Sequence, residues 1–136
     1  PSNLAGVLDN KAPSIERRVN ALKTLAKNGW TVGLRFDPLI YCSGWENLYS
    51  ELIQDIFTDI NIDKVHSVSH GPLRFPKEMY KKITSLYPDD KLFSFPMETK
   101  GGIVSYGTDI EQEMSLFLQS ELEKYTTKKK IFRCLV

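Results

Sequence analysis

Two segments of this chain each run from a short strand into a loop dense with polar side chains. The first is Thr31-Val32-Gly33-Leu34-Arg35-Phe36 into Asp37-Pro38; the second is Val65-His66-Ser67-Val68-Ser69 into His70-Gly71-Pro72-Leu73-Arg74-Phe75-Pro76. Each strand is preceded and followed by a stretch with helical periodicity, and that βα alternation places reacting groups at strand C-terminal ends. The alternation predicts an α/β chain, a partial (β/α) barrel fragment with parallel strands, followed by a C-terminal hairpin, helix and short strand. Two or three βα units cannot close a barrel, so the 136 residues read as one domain that is part of a larger cylinder.

Residues 1–10 show no sustained period and read as a loop. From Ser14 onward Ile15, Val19, Leu22, Leu25 and Ala26 repeat at helical spacing, with Pro13 and Ser14 at the start and Gly29 past the end. A strand at 31–36 follows, which Asp37-Pro38 is expected to stop. Trp45, Leu48, Tyr49, Leu52, Ile53, Ile56 and Phe57 then share one wide face of a second helix. After a strand at 64–69 and a loop at 70–75, Pro76 suits the first turn of a third helix bearing Met79, Tyr80, Ile83, Leu86 and Tyr87. Lys91–Phe95 reads as a third strand, and Met97 to Gly107 as an extended turn or short hairpin around Gly101-Gly102. Thr108 and Glu111 have the spacing of a capping box opening a last helix. The apolar tail 131–136 reads as a final strand.

Bulk properties narrow the function classes. A formal charge of +1 argues neither nucleic-acid nor membrane binding by itself, and the run Lys128-Lys129-Lys130 reads as a solvated surface. No apolar stretch is long enough to cross a bilayer and Pro1-Ser2-Asn3 does not begin a signal peptide, so a cytoplasmic setting without a membrane partner is expected. Cys42 and Cys134 stand far apart, which indicates neither a disulfide framework nor a thiolate metal site. His66 and His70, four apart on a strand, would place their side chains about 13 Å apart, too far to share a metal. Ser67 and Ser69 lack a nucleophile elbow, and Gly101-Gly102 lacks the lysine and helix of a phosphate-binding loop. No residue is therefore assigned as catalytic or metal-binding.

Alternation along a strand gives Arg35 and Asp37 one direction and Phe36 the other. Right-handed βαβ crossovers make the strands parallel, which brings Arg35 and Asp37 near a rim shared with Ser69, His70 and Arg74. Two readings stand: a cation and a carboxylate at a barrel mouth, or an ion pair that orders the loop.

Several motifs in order carry a family resemblance: Ala12-Pro13-Ser14-Ile15-Glu16-Arg17-Arg18; Val32-Gly33-Leu34-Arg35-Phe36-Asp37-Pro38-Leu39-Ile40; Gly44-Trp45 with Tyr49; and His66-Ser67-Val68-Ser69 leading to Leu73-Arg74-Phe75-Pro76. Together, up to about Met114, they resemble the spore photoproduct lyase group of radical S-adenosylmethionine proteins. The resemblance implies the C-terminal portion of a partial (β/α)6 barrel that holds a [4Fe-4S] cluster and S-adenosylmethionine and acts on DNA, as in thymine-dimer repair. In that family a Cys-x3-Cys-x2-Cys triplet holds the cluster. This chain lacks the triplet, so no cluster is expected to assemble on it alone and activity requires the missing N-terminal barrel half as partner.

By the same resemblance Arg35, Phe36 and Asp37 match strand-end positions on the cofactor side, Asp37 standing where the lyase proper has a small apolar residue. The hairpin region offers Lys100 and Tyr106 as DNA contacts, one for phosphate and one for stacking on a base, and Arg74 as a further phosphate contact. The alternative is a stand-alone, non-catalytic nucleic-acid- or protein-binding module that retains the scaffold.

Overall fold

The computed structural model describes residues 12–134. Ser14 caps the first helix, α1 (Ile15–Lys27), its hydroxyl accepting from the Arg17 N–H at 3.3 Å. Strand β1 (Val32–Leu39) leads to helix α2 (Trp45–Thr58), and strand β2 (Val65–Pro72) leads to the three-residue strand β3 (Arg74–Pro76) and helix α3 (Lys77–Leu86). Strands β4 (Met97–Lys100) and β5 (Ile103–Tyr106) form a hairpin, helix α4 (Thr108–Glu123) follows, and strand β6 (Ile131–Arg133) closes the order.

Two three-stranded sheets result. The first has the order β1-β2-β6 with both pairings parallel, as the βα alternation predicts; the second has the order β3-β5-β4 and is antiparallel. Among the described residues β1 has no strand on its outer side.

The helices cover one face of the parallel sheet. Leu34, Phe36, Val65 and Val68 from the strands meet Trp45, Tyr49, Ile53, Met114, Leu118 and Leu122 from α2 and α4 in the main core. The Trp45 and Phe117 rings close that layer at 4.8 Å between centroids. On the other face alternate residues of β1 point away from the helices, so Gly33 and Arg35 are exposed between buried Val32, Leu34 and Phe36.

Several expectations need correction. The Asp37-Pro38 pair, a cis peptide, does not stop β1, which continues to Leu39. Proline has no N–H to donate, and Pro38 falls where the ladder to β2 is already irregular, between the Phe36–His70 and Leu39–Pro72 pairings. The segment 70–75 is not a loop: β2 runs to Pro72, and Arg74–Pro76 pairs with β5. Lys91–Phe95 is not a strand. Its first three residues form a 3-10 turn because the Asp90 carboxylate accepts from the Leu92 N–H at 2.9 Å. Pro76 stands one position before α3 rather than inside it. The capping box at Thr108 does not form, because Gly107 is the cap position, Lys100 donates to the Thr108 hydroxyl and Glu111 accepts from Ser105.

The hairpin is present as expected. Gly101 and Gly102 have φ of +54° and +85°, the left-handed pair that a tight two-residue turn demands. The final strand covers Ile131–Arg133, while residues 1–11 and 135–136, including the expected N-terminal loop, lie outside the described residues.

Candidate functional site at the strand-end rim

Because β1, β2 and β6 are parallel, the residues at their C-terminal ends share one rim. Register sets them in rows across the sheet: Arg35 beside Ser69 beside Phe132, with Gly33 beside Ser67 one row below. The middle strand contributes only small side chains to this face, Ser67, Ser69 and then Gly71, with Arg35 and Phe132 flanking Ser69. The result is a shallow trough floored by β2.

Asp37 organises the mouth of the trough. Its side chain is only 11% exposed, and one oxygen, Oδ2, accepts from Arg35 Nη2 at 2.8 Å and from Arg74 Nη2 at 3.1 Å. Hydrogen bonding to Asp37, then Coulomb attraction, raises the Arg35 pKa above its ordinary value. Two guanidiniums share one carboxylate, so the cluster keeps a net positive charge. Arg74 Nη1 is buried and has no hydrogen-bond partner among the described residues.

Gly71 makes this packing possible. A Cβ built on it would lie 2.8 Å from Arg74 Nη1, 3.1 Å from the Cys134 Cβ and 3.3 Å from Asp37 Oδ2. The backbone of Cys134 continues the β6 ladder, its N–H donating to His70 at 2.8 Å. Beyond Cys134 a cleft of about 550 Å³, lined also by Glu98, Lys100, Ser105, Glu111 and Arg133, separates the hairpin from β6.

Two phenols pin the loop that follows β1. Tyr49 accepts from the Ile40 N–H at 2.8 Å and Tyr106 from the Tyr41 N–H at 3.1 Å. Burial pushes the pKa of both up to about 12, so both stay protonated.

The structure brings Arg35, Asp37 and Arg74 together as the crossover rule predicts, with the Arg35–Asp37 ion pair at the strand-end rim. It does not bring Phe36 to them; that ring is in the core on the opposite face, as alternation requires. Tyr106 is a correction: it is 0% exposed, and a ring enclosed by Tyr41 and the core has no face to offer a base. Lys100 is on the hairpin, paired with Glu98 at 3.2 Å, and does not join the cluster. His66 is exposed and 3.1 Å from Ser67, whereas His70 is buried toward the helices. Among the described residues no group of three or more His, Cys, Asp and Glu side chains is placed to hold a metal ion. Gly71, Cys134 and the Tyr49 phenol were missed, and only the last had a signal, a tyrosine on the apolar face of a helix.

No family model and no curated protein matches this chain. Solved structures do. A cysteine-to-alanine mutant of spore photoproduct lyase superposes on 90% of this chain with a TM-score of 0.70 at 19% identity. The same kind of mutant with dinucleoside spore photoproduct gives 0.69 at 20% identity over 90%. A double mutant with bound AdoMet and dinucleoside spore photoproduct gives 0.66 at 19% identity over 90%. The fold is that of spore photoproduct lyase. The chain spans 38% of the length of those chains, so it carries one part of that architecture.

Proposed function

We propose that this chain is the C-terminal portion of a radical S-adenosylmethionine lyase similar to spore photoproduct lyase, acting on DNA in the cytoplasm once joined to an N-terminal, cluster-binding half. The observation that carries the reading is the Arg35–Asp37–Arg74 cluster at the mouth of a trough of small side chains, on a fold shared with an enzyme whose structure holds AdoMet and a dinucleoside lesion. Arg35 and Asp37 face the side where a cofactor would lie. The spare Arg74 Nη1 suits a phosphate or carboxylate oxygen, and Lys100 on the hairpin is the second phosphate contact. Phe36 supports the cofactor side only from behind, by packing under β1.

The guanidinium donors fit the organic cofactor's carboxylate, but the chain does not fit the cluster. Iron–sulfur clusters are held by thiolates, and Cys42 and Cys134 cannot supply the family's triplet. A cluster and cofactor held by the N-terminal half would supply the radical chemistry, and Arg35, Asp37 and Arg74 of this chain would orient and hold the cofactor and substrate. The N-terminal half would meet this chain along the outer edge of β1, which has no strand partner among the described residues.

A chimera tests the reading. Replacing the corresponding 38% of spore photoproduct lyase with this chain should give a protein that reconstitutes a four-iron cluster, cleaves AdoMet and reverts spore photoproduct in DNA. Arg74→Gln in the chimera should weaken lesion binding. A chimera with an intact cluster that does neither reaction overturns the reading, as does a four-iron spectrum from this chain alone.

A further inference from the structure

The parallel sheet has a second end, and its chemistry is unlike the rim's. The segments entering β1, β2 and β6 are residues 27–31, 61–64 and 127–130, and parallel strands bring all three to one end. They carry Lys27, Lys64, Lys128, Lys129 and Lys130 against one acid, Asp63. Set against a whole-chain charge of +1, these three segments are strongly positive.

Hydrogen bonds tie the three segments together. Lys64 Nζ donates to the Gly29 carbonyl at 3.2 Å, and Lys130 Nζ donates to the carbonyls of Val65 at 2.7 Å and Ile62 at 3.4 Å. The helix ends that lead into these segments add acids that are already paired: Asp55 and Asp59 with Lys23 at 3.2 and 3.5 Å, and Glu121 with Lys124. In the middle of the first segment is Trp30, 66% exposed although it is the largest apolar side chain there. Its backbone is fixed, the N–H donating to Leu25 at 3.1 Å. Three adjacent strands are spaced at about 4.8 Å, so the strip from Trp30 to Lys128 spans about two or three nucleotides of an extended strand.

An exposed indole at the same end of the sheet as exposed Lys128 and Lys129 has the makings of a single-strand site, in which a base stacks on the ring while phosphates meet the cations. We propose that the strand-entry end of the sheet binds a single-stranded nucleic acid, with a base on Trp30 and phosphates on Lys128, Lys129 and Lys64. The site is independent of the rim and of the lyase reading. Neither charge nor stacking requires a base-specific contact, so binding is tolerant of sequence.

Titration of the 136-residue chain with an oligothymidylate of about 12 nucleotides tests this, read by tryptophan emission and by anisotropy of a labelled strand. Trp45 is buried, so the quenching should belong to Trp30 and vanish in Trp30→Phe. Trp30→Ala should weaken binding by at least about fivefold, the lower bound for a lost base stack. Affinity should fall with salt at a slope of about −0.7 per phosphate contacted, and Lys128→Gln/Lys129→Gln should reduce that slope by about 1.4. The lyase reading is tested on lesion turnover in the chimera, which does not depend on Trp30 quenching, so this proposal and the lyase reading fail separately. Unaltered affinity in Trp30→Ala, or an unaltered salt slope in the double lysine variant, overturns the proposal. So does a response confined to phosphatidylserine–phosphatidylcholine vesicles, which would mark a membrane contact.

Discussion

The rim cluster makes a quantitative prediction about Asp37 and Arg74. Their side chains are 11% and 24% exposed and meet at 3.1 Å, so the contact is a charge-assisted hydrogen bond in a partly desolvated place. Such bonds contribute about 1.5–3 kcal/mol, and the residual exposure of Arg74 puts this one at the low end, about 1.5 kcal/mol. A double-mutant cycle of Asp37→Ala and Arg74→Met, followed by urea unfolding, should return that coupling energy. Gly71→Ala attacks the same contact sterically. A Cβ 2.8 Å from Arg74 Nη1 forces the guanidinium off its seat, with a loss of about 1–3 kcal/mol as for other overpacked sites. Repeating the cycle in the Gly71→Ala background should therefore give a coupling near zero. A coupling below about 0.5 kcal/mol in the parent chain, or one that survives Gly71→Ala, refutes the argument that Gly71 seats Arg74 against Asp37.

Two further outcomes follow from buried polar groups. His70 is 2% exposed, and burial, then the nearby Arg133 charge, lowers its pKa below the ordinary 6.5. The unfolded chain then binds more protons than the folded one below pH 6.5, so stability should hold above that value and fall as pH drops towards the folded pKa; an increase in stability on acidification through this window, measured by urea unfolding, contradicts it. Tyr49→Phe removes the acceptor for the Ile40 N–H and should cost about 1–3 kcal/mol, with faster amide exchange at Ile40 as the local signature; no change in that exchange would show the phenol does not hold the loop.

What the sequence made legible is what local alternation and chain direction control. The β-branched strands flanked by amphipathic helices give the parallel pairing of β1 with β2, and parity along β1 puts Arg35 and Asp37 on one face with Phe36 behind. Arg74 reaches them because a crossover returns β2 beside β1 with the same direction. Non-local pairing is where the reading fails. Arg74–Pro76 becomes a strand only because β5, about thirty residues on, supplies its partner, and nothing local marks that. Tyr106 reads as an available ring because a hairpin normally alternates, yet Val104, Ser105 and Tyr106 are all buried where the hairpin packs against Leu73, Tyr41 and α4.

The trough itself shows why a site can be invisible in composition. Ser67, Ser69 and Gly71 are indifferent strand formers, and on propensity alone they weaken the case for a strand. Flanking pairing holds them in place: β1 and β6 supply ladders on both sides, so the central strand need not contribute bulk to either layer on this face. That freedom is what keeps the floor low enough for Arg74 to fold back over Gly71 and reach Asp37. The charged mouth therefore depends on residues with almost no side chain, and lengthening one of them should disturb the cluster more than removing the exposed Arg35 would.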